Sequence, residues 1–105
     1  MWSERDEMMS LVPKPDEKPG DFPKVCPCCG KKSAHILMHR AEPGSPRGTL
    51  WIWCDSCFSY SHMGFFVPNW WKNPDFIDED KLDSFVDYPH EHEAEIDAWI
   101  NELLG

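Results

Sequence analysis

Four of the five cysteines form two pairs with the same internal spacing, Cys26/Cys29 and Cys54/Cys57. A Cys-x-x-Cys turn sets two thiolates on one side of a metal ion. A second turn, brought opposite by a hairpin, completes a tetrahedron with sulfurs at about 2.3 Å. The expected chemistry is one Zn2+ bound by Cys26, Cys29, Cys54 and Cys57. Pro27 stiffens the first turn, and Gly30 can take the positive φ that lets nearby amides face the sulfurs. Unrelated buried thiols or an iron centre are the alternatives for such a donor set. Four cysteines close the shell and leave no place for an activated water, so the ion is expected to be structural and the protein not an enzyme.

Cys28 is the spare thiol. It could replace Cys26 as a ligand, but Cys26 fits the Cys-Pro-x-Cys-Gly turn better, and Cys28 reads as a bystander facing away from the metal. Other donors are less organised. His35 and His39 fall on one face of a strand, with His62 on a neighbouring strand. A second site would need three of these to converge with a fourth ligand, and surface or half-buried strand histidines are far commoner. His90 and His92 lack the i, i+4 spacing of helical zinc ligands and read as solvated. No paired carboxylates, nucleophile motif or phosphate loop stands out.

The elements that must position the cysteines follow from patterning. Ser33 to Arg40 alternates, with His35, Leu37 and His39 opposite Ala34, Ile36 and Met38. Residues 41–48 are dense in turn formers and should join this strand to a second over Thr49 to Trp53. A third is expected over Phe58 to Met63, resuming at Phe65 after Gly64. The fold class expected is a small β-rich zinc ribbon, a three-stranded antiparallel sheet with two knuckles, followed by a C-terminal amphipathic α-helix. That helix should span about 89–104, with Pro89 in its first position. Ile96, Trp99, Ile100, Leu103 and Leu104 make one apolar stripe at the 3.6 period, suited to packing on the ribbon. Three segments result: a Pro-rich polar arm over 1–24, the ribbon over 25–67, and an acidic extension over 68–105.

Length and charge narrow the function. A chain of 105 residues buries a modest fraction of its surface, so a metal staple is reasonable. Its start lacks a basic segment followed by an apolar one, and no run of eighteen apolar residues occurs. A cytoplasmic protein with no membrane association is therefore expected, where thiolate ligands are commoner than disulfides. The formal charge of −9 sits wholly in residues 72–105, where eleven acids face Lys72 and Lys81. Such a chain would not seek a phosphate backbone by bulk electrostatics. Asp75, Asp78, Glu79, Asp80, Asp83 and Asp87 are either a solubilising surface or a field that steers a basic partner. Trp51 and Trp53 share a strand face and could stack nucleobases, though a core beneath the helix is the better reading. Of Trp70 and Trp71, one should be buried and the other exposed as an interface anchor.

Residues 25–62 resemble the zinc-ribbon superfamily, through Cys26-Pro27-Cys28-Cys29-Gly30 and Cys54-Asp55-Ser56-Cys57. Within it, Arg40-Ala41-Glu42-Pro43 is similar to the hairpin tip of transcript-cleavage factors and related RNA polymerase subunits. Those proteins carry an adjacent Asp-Glu pair there, where this chain has Glu42 alone. The run Gly48 to Cys54, Trp70-Trp71 and the Ile96 to Leu104 helix also look like small bacterial zinc-ribbon proteins encoded beside polymorphic toxins. This second resemblance implies an immunity protein; the acidic last third would then cover a basic toxin surface, with Trp70, Trp71, Asp78, Glu79, Asp80 and Asp83 as the expected contact residues. The alternative is a nucleic-acid- or RNA polymerase-associated transcription factor, since residues 24–71 carry five bases and two acids.

Overall fold

The computed structural model describes residues 2–12 and 22–104. Its strands are β1 (Ser3–Glu4), β2 (Lys24–Val25), β3 (Lys32–Arg40), β4 (Arg47–Cys54) and β5 (Ser59–Phe66). They form one sheet in the order β1-β5-β4-β3-β2. The expected three-stranded antiparallel sheet is thus corrected to five strands. The central three match the alternating segments, β4 pairing antiparallel with both β3 and β5. The two additions are two-residue edge strands, too short to show a period, and β1 runs parallel to β5. The third strand is continuous through Gly64, where a Cβ would meet nothing within 4 Å. Gly48 differs: a Cβ there would overlap the His39 carbonyl and the Val67 side chain, so this crossing of β4 requires glycine.

Both faces of the sheet are covered, which is why Ala34 to Met38 are all buried despite their alternation. One face carries the cross-strand rows His35–Trp53–Tyr60 and Leu37–Trp51–His62. The C-terminal third lies on it: Trp53 donates its indole N–H to Glu93 at 3.2 Å, and Trp51 donates to the Asp83 carbonyl at 2.8 Å. The opposite face includes Ile36, Ile52 and Ser61, and meets the 3-10 helix Asp6–Leu11, whose Met8 is fully buried. Ser61 Oγ reaches Met9 Sδ at 3.6 Å on that side. Side chains such as Trp53, Ile36, Ile52 and Leu50 have no exposed surface. Each contributes about 1.5–3 kcal/mol by leaving water.

The C-terminal region holds two helices, α1 (Asp87–Glu91) and α2 (Glu93–Leu104), where one was expected. Pro89 sits inside the first turn of α1, where its missing N–H has no intrahelical partner to lose. The break falls at His92, whose amide bonds the Pro89 carbonyl at 3.1 Å while its own carbonyl accepts from Ile96 at 2.9 Å. From the apolar stripe, Ile96 and Ile100 are fully buried. Trp99 lies toward the flank, donating to the Lys72 carbonyl at 2.7 Å. Asn101 clasps the backbone of Phe22 through two hydrogen bonds of 2.8 and 3.0 Å, tying α2 to the entry of the ribbon. Of the N-terminal prolines, Pro13, Pro15 and Pro19 lie outside the described residues.

Candidate metal centre

The two cysteine pairs occupy turns that repeat one geometry. In the first, the Gly30 amide bonds the Cys26 carbonyl at 2.9 Å and the Cys28 amide points at Cys26 Sγ from 3.3 Å. In the second, the Phe58 amide bonds the Cys54 carbonyl at 3.1 Å and the Ser56 amide points at Cys54 Sγ from 3.4 Å. The fourth residue after each leading cysteine has positive φ, 77° at Gly30 and 60° at Phe58. Glycine takes that conformation freely, whereas a phenylalanine is held there at a cost of roughly 1–2 kcal/mol. The second turn keeps the shape without a glycine, Phe58 being held by the Ser3 amide on its carbonyl at 2.8 Å and by the Trp2 ring edge-on at 5.2 Å between centroids.

The hairpin register brings the turns together. The second opens at Cys54, the last residue of β4, which pairs with Ala34, and the Asp55 amide bonds the Ser33 carbonyl at 3.1 Å. The Sγ atoms of Cys26, Cys29, Cys54 and Cys57 all lie within 4.8 Å of one another. Cys26 to Cys57 and Cys29 to Cys54 each measure 3.7 Å. Sulfurs about 2.3 Å from the centre of a tetrahedron stand about 3.8 Å apart, so the cluster has the dimensions of a single four-thiolate metal site. All five cysteines are free thiols.

Crowding four thiols perturbs them in opposite directions. Burial pushes Cys26 up to about 12, despite the Cys29 and Cys28 amides. At Cys29 the Lys31 amide works downward, but burial and the sulfurs of Cys54 and Cys57 hold the thiol above its ordinary value. For Cys57, burial acts upward and is outweighed by the Ser59 hydroxyl and amide and by the neighbouring sulfurs, bringing it down to about 7. Negative charge on one sulfur raises the cost of charge on the next, and a central cation relieves all of them. The donor chemistry therefore fits a structural site of the zinc type. Cys28 stands outside the cluster, exposed, with Sγ 3.7 Å from Glu7 Oε2 and 3.9 Å from Met8 Sδ.

The three strand histidines do not converge. His39 approaches Glu79 at 3.4 Å and His62 packs on Trp51 with centroids 5.0 Å apart. His35 instead meets three carboxylates. Its Nδ1 lies 2.8–2.9 Å from both oxygens of Asp97, and its Nε2 lies 3.2 Å from Asp55 and 2.9 Å from Glu93. Burial acts to lower the His35 pKa, but Asp97, Glu93 and Asp55 together hold it above the ordinary value. Burial also lifts the Glu93 carboxyl, with His35 and the Trp53 N–H opposing. This cluster was missed in the sequence. Asp55 lies inside the second knuckle, and Glu93 and Asp97 are spaced i, i+4 on one helix face, but neither feature names His35.

Among the expected contact residues, Asp78, Glu79, Asp80 and Asp83 are exposed and Trp70 is half-buried against Trp71. Trp71 is 1 % exposed, its N–H bonded to Asn73 at 3.0 Å. Two of the carboxylates also cap local turns, Asp78 accepting from the Asp80 amide at 3.0 Å and Asp83 from the Phe85 amide at 2.8 Å. Trp51 and Trp53 are buried in the core and offer no face for stacking bases. Arg40, one of the five bases of residues 24–71, donates its guanidinium to the carbonyls of Ser45, Pro68 and Trp71 at 2.6–3.0 Å.

No family model matches the chain, and no curated protein or solved structure matches it. The likeness to zinc ribbons rests on the two knuckles and their geometry. Among the described residues, no helix is long and apolar enough to cross a membrane.

Proposed function

We propose that this chain is a non-enzymatic zinc-ribbon protein that works by binding another protein, with one structural Zn2+ held by Cys26, Cys29, Cys54 and Cys57. In its most specific form it is a bacterial immunity protein that acts in the cytoplasm and neutralises a toxin by covering a basic surface. The observation that carries the reading is the surface of the 78–85 segment. Asp78, Glu79, Asp80 and Asp83 are exposed there, and the Phe85 ring beside them is 62 % exposed. A large exposed apolar ring in the same segment as four exposed carboxylates suits a contact with a cationic protein: the ring supplies desolvated area, and the charges supply steering and selectivity. Trp70 is proposed as a separate aromatic contact, half-buried edge-on against the buried Trp71 ring with centroids 6.2 Å apart.

The reading requires a gene for a basic toxin domain beside this chain's own, and the test is co-production of the two proteins; a neighbourhood without such a gene counts against it. Glu79→Lys with Asp80→Lys avoids the two carboxylates that cap turns. The double variant should weaken the complex and abolish growth protection while the protein stays folded. Undiminished affinity and protection would refute the reading.

A further inference from the structure

We infer that His35, Asp55 and Glu93 form a second metal site, for a divalent first-row transition cation, at the junction of α2 with the second knuckle. The three donor atoms lie within 4.8 Å of one another. His35 Nε2 stands 3.2 Å from Asp55 Oδ2 and 2.9 Å from Glu93 Oε2. Ligands about 2.1 Å from a common ion are separated by about 3.0 Å in octahedral and 3.4 Å in tetrahedral geometry, so these two separations, which also suit hydrogen bonds, match the edges of a coordination shell. An imidazole with two carboxylates selects a transition cation such as Zn2+ over Ca2+ or Mg2+, which prefer all-oxygen shells.

The electrostatics lead to the same place. The imidazole is only 5 % exposed, and its Nδ1 is engaged by both oxygens of Asp97. If Nδ1 carries the proton, the lone pair of Nε2 faces two further acceptor oxygens, an arrangement that is repulsive unless a positive charge lies between them. A proton there leaves three carboxylates around one imidazolium, a net charge of about −2 in a largely buried position. A dication brings the same groups to about −1 and satisfies all three donors at once.

The surrounding contacts are those of a supported metal ligand set. Asp97 holds the far nitrogen of His35, the carboxylate–histidine–metal relay that fixes tautomer and ring orientation. The Trp53 indole N–H donates to Glu93 Oε2 at 3.2 Å, and the Trp53 ring stacks on His35 with centroids 5.6 Å apart. Asp55 is the most open of the three ligands, at 34 % exposure, and marks the solvent side, where water would complete the shell. The cation would join β3, the second knuckle and α2. It would fasten the helix to the ribbon independently of the four-thiolate site.

The experiment is a calorimetric Zn2+ titration of the full chain already carrying one equivalent of zinc, with metal content measured after desalting. The wild-type chain should take up a second equivalent, and the His35 ring resonances in its NMR spectrum should shift on binding. Asp55→Asn and Glu93→Gln, both at partly exposed positions, should keep the first equivalent and a native near-UV spectrum. Their affinity for the second should fall at least tenfold. Asp97→Asn, a positioning change, should weaken the second equivalent by about 10–100-fold without abolishing it. No second equivalent at millimolar Zn2+, or uptake indifferent to Asp55→Asn and Glu93→Gln, would overturn the assignment.

Discussion

Replacing Cys26 by serine and, separately, Cys28 by serine asks whether the four sulfurs near one another are the ones that hold the metal. Cys26 Sγ is buried and 3.7 Å from Cys57 Sγ, whereas Cys28 is exposed and turned toward Glu7 and Met8. Structural zinc contributes on the order of 10–16 kcal/mol to small domains of this kind. Shared over four sulfurs, one thiolate is worth about 3 kcal/mol, or roughly a hundredfold in zinc affinity. At fixed free zinc that loss passes directly into stability. For a domain near this size it lowers the unfolding midpoint by roughly 10–20 °C. Cys28→Ser, a surface change away from the cluster, should stay within about 0.5 kcal/mol of the parent, a shift of a few degrees. The assay is thermal unfolding followed by near-UV circular dichroism in a zinc-buffered solution, with zinc content measured on each variant. The reasoning is refuted if Cys28→Ser is the more damaging change, or if Cys26→Ser keeps a full equivalent at an unchanged midpoint.

Chelation of the wild-type chain should abolish the near-UV signal in one cooperative step, checked by adding zinc back; a native spectrum in the metal-free chain would contradict a structural role. Ile100→Ala removes a fully buried anchor of α2 and should cost about 2–5 kcal/mol in a urea unfolding titration. Arg40→Met should cost about 1–3 kcal/mol by leaving the carbonyls of Ser45, Pro68 and Trp71 without their donors, measured the same way. With no cation between them, burial lowers the His35 pKa but Asp97, Glu93 and Asp55 hold it above its unfolded value of about 6.5. Its contribution is then complete below about pH 6.5 and lost as pH rises through the folded value. The stability gap between wild type and His35→Gln should therefore narrow with rising pH, and a widening gap would refute the sign.

The hairpin arms were legible because their information is local. Alternation from Ser33 to Arg40 and the turn formers of 41–48 indicate β3 and a turn to β4 without any distant contact, although β4 begins at Arg47, two residues before the expected Thr49. The same holds for α2, where Ile96 and Ile100 recur at the helical period and are buried as that period requires. Alternation misleads about burial in β3, however, since it takes no account of a second cover. Met8 and the 3-10 helix around it close the face that a lone ribbon would leave to solvent. Edge strands of two residues carry no period at all, and β1 owes its place to hydrogen bonds from Ser3 to Phe58 and from Arg5 to Tyr60.

The sequence by itself determined the two knuckles, because a Cys-x-x-Cys turn places its sulfurs through short-range geometry that four residues can specify. It also determined the acidic bias of the last third, which is a matter of counting. Tertiary structure alone decided which tryptophan of the 70–71 pair is buried and that Arg40 is spent on three carbonyls. It also decided that His35 faces Asp55 and Asp97, 20 and 62 residues away. Such encounters depend on how a helix seats on a sheet, and contacts between segments so far apart in the chain leave no spacing for a reader of residues to find.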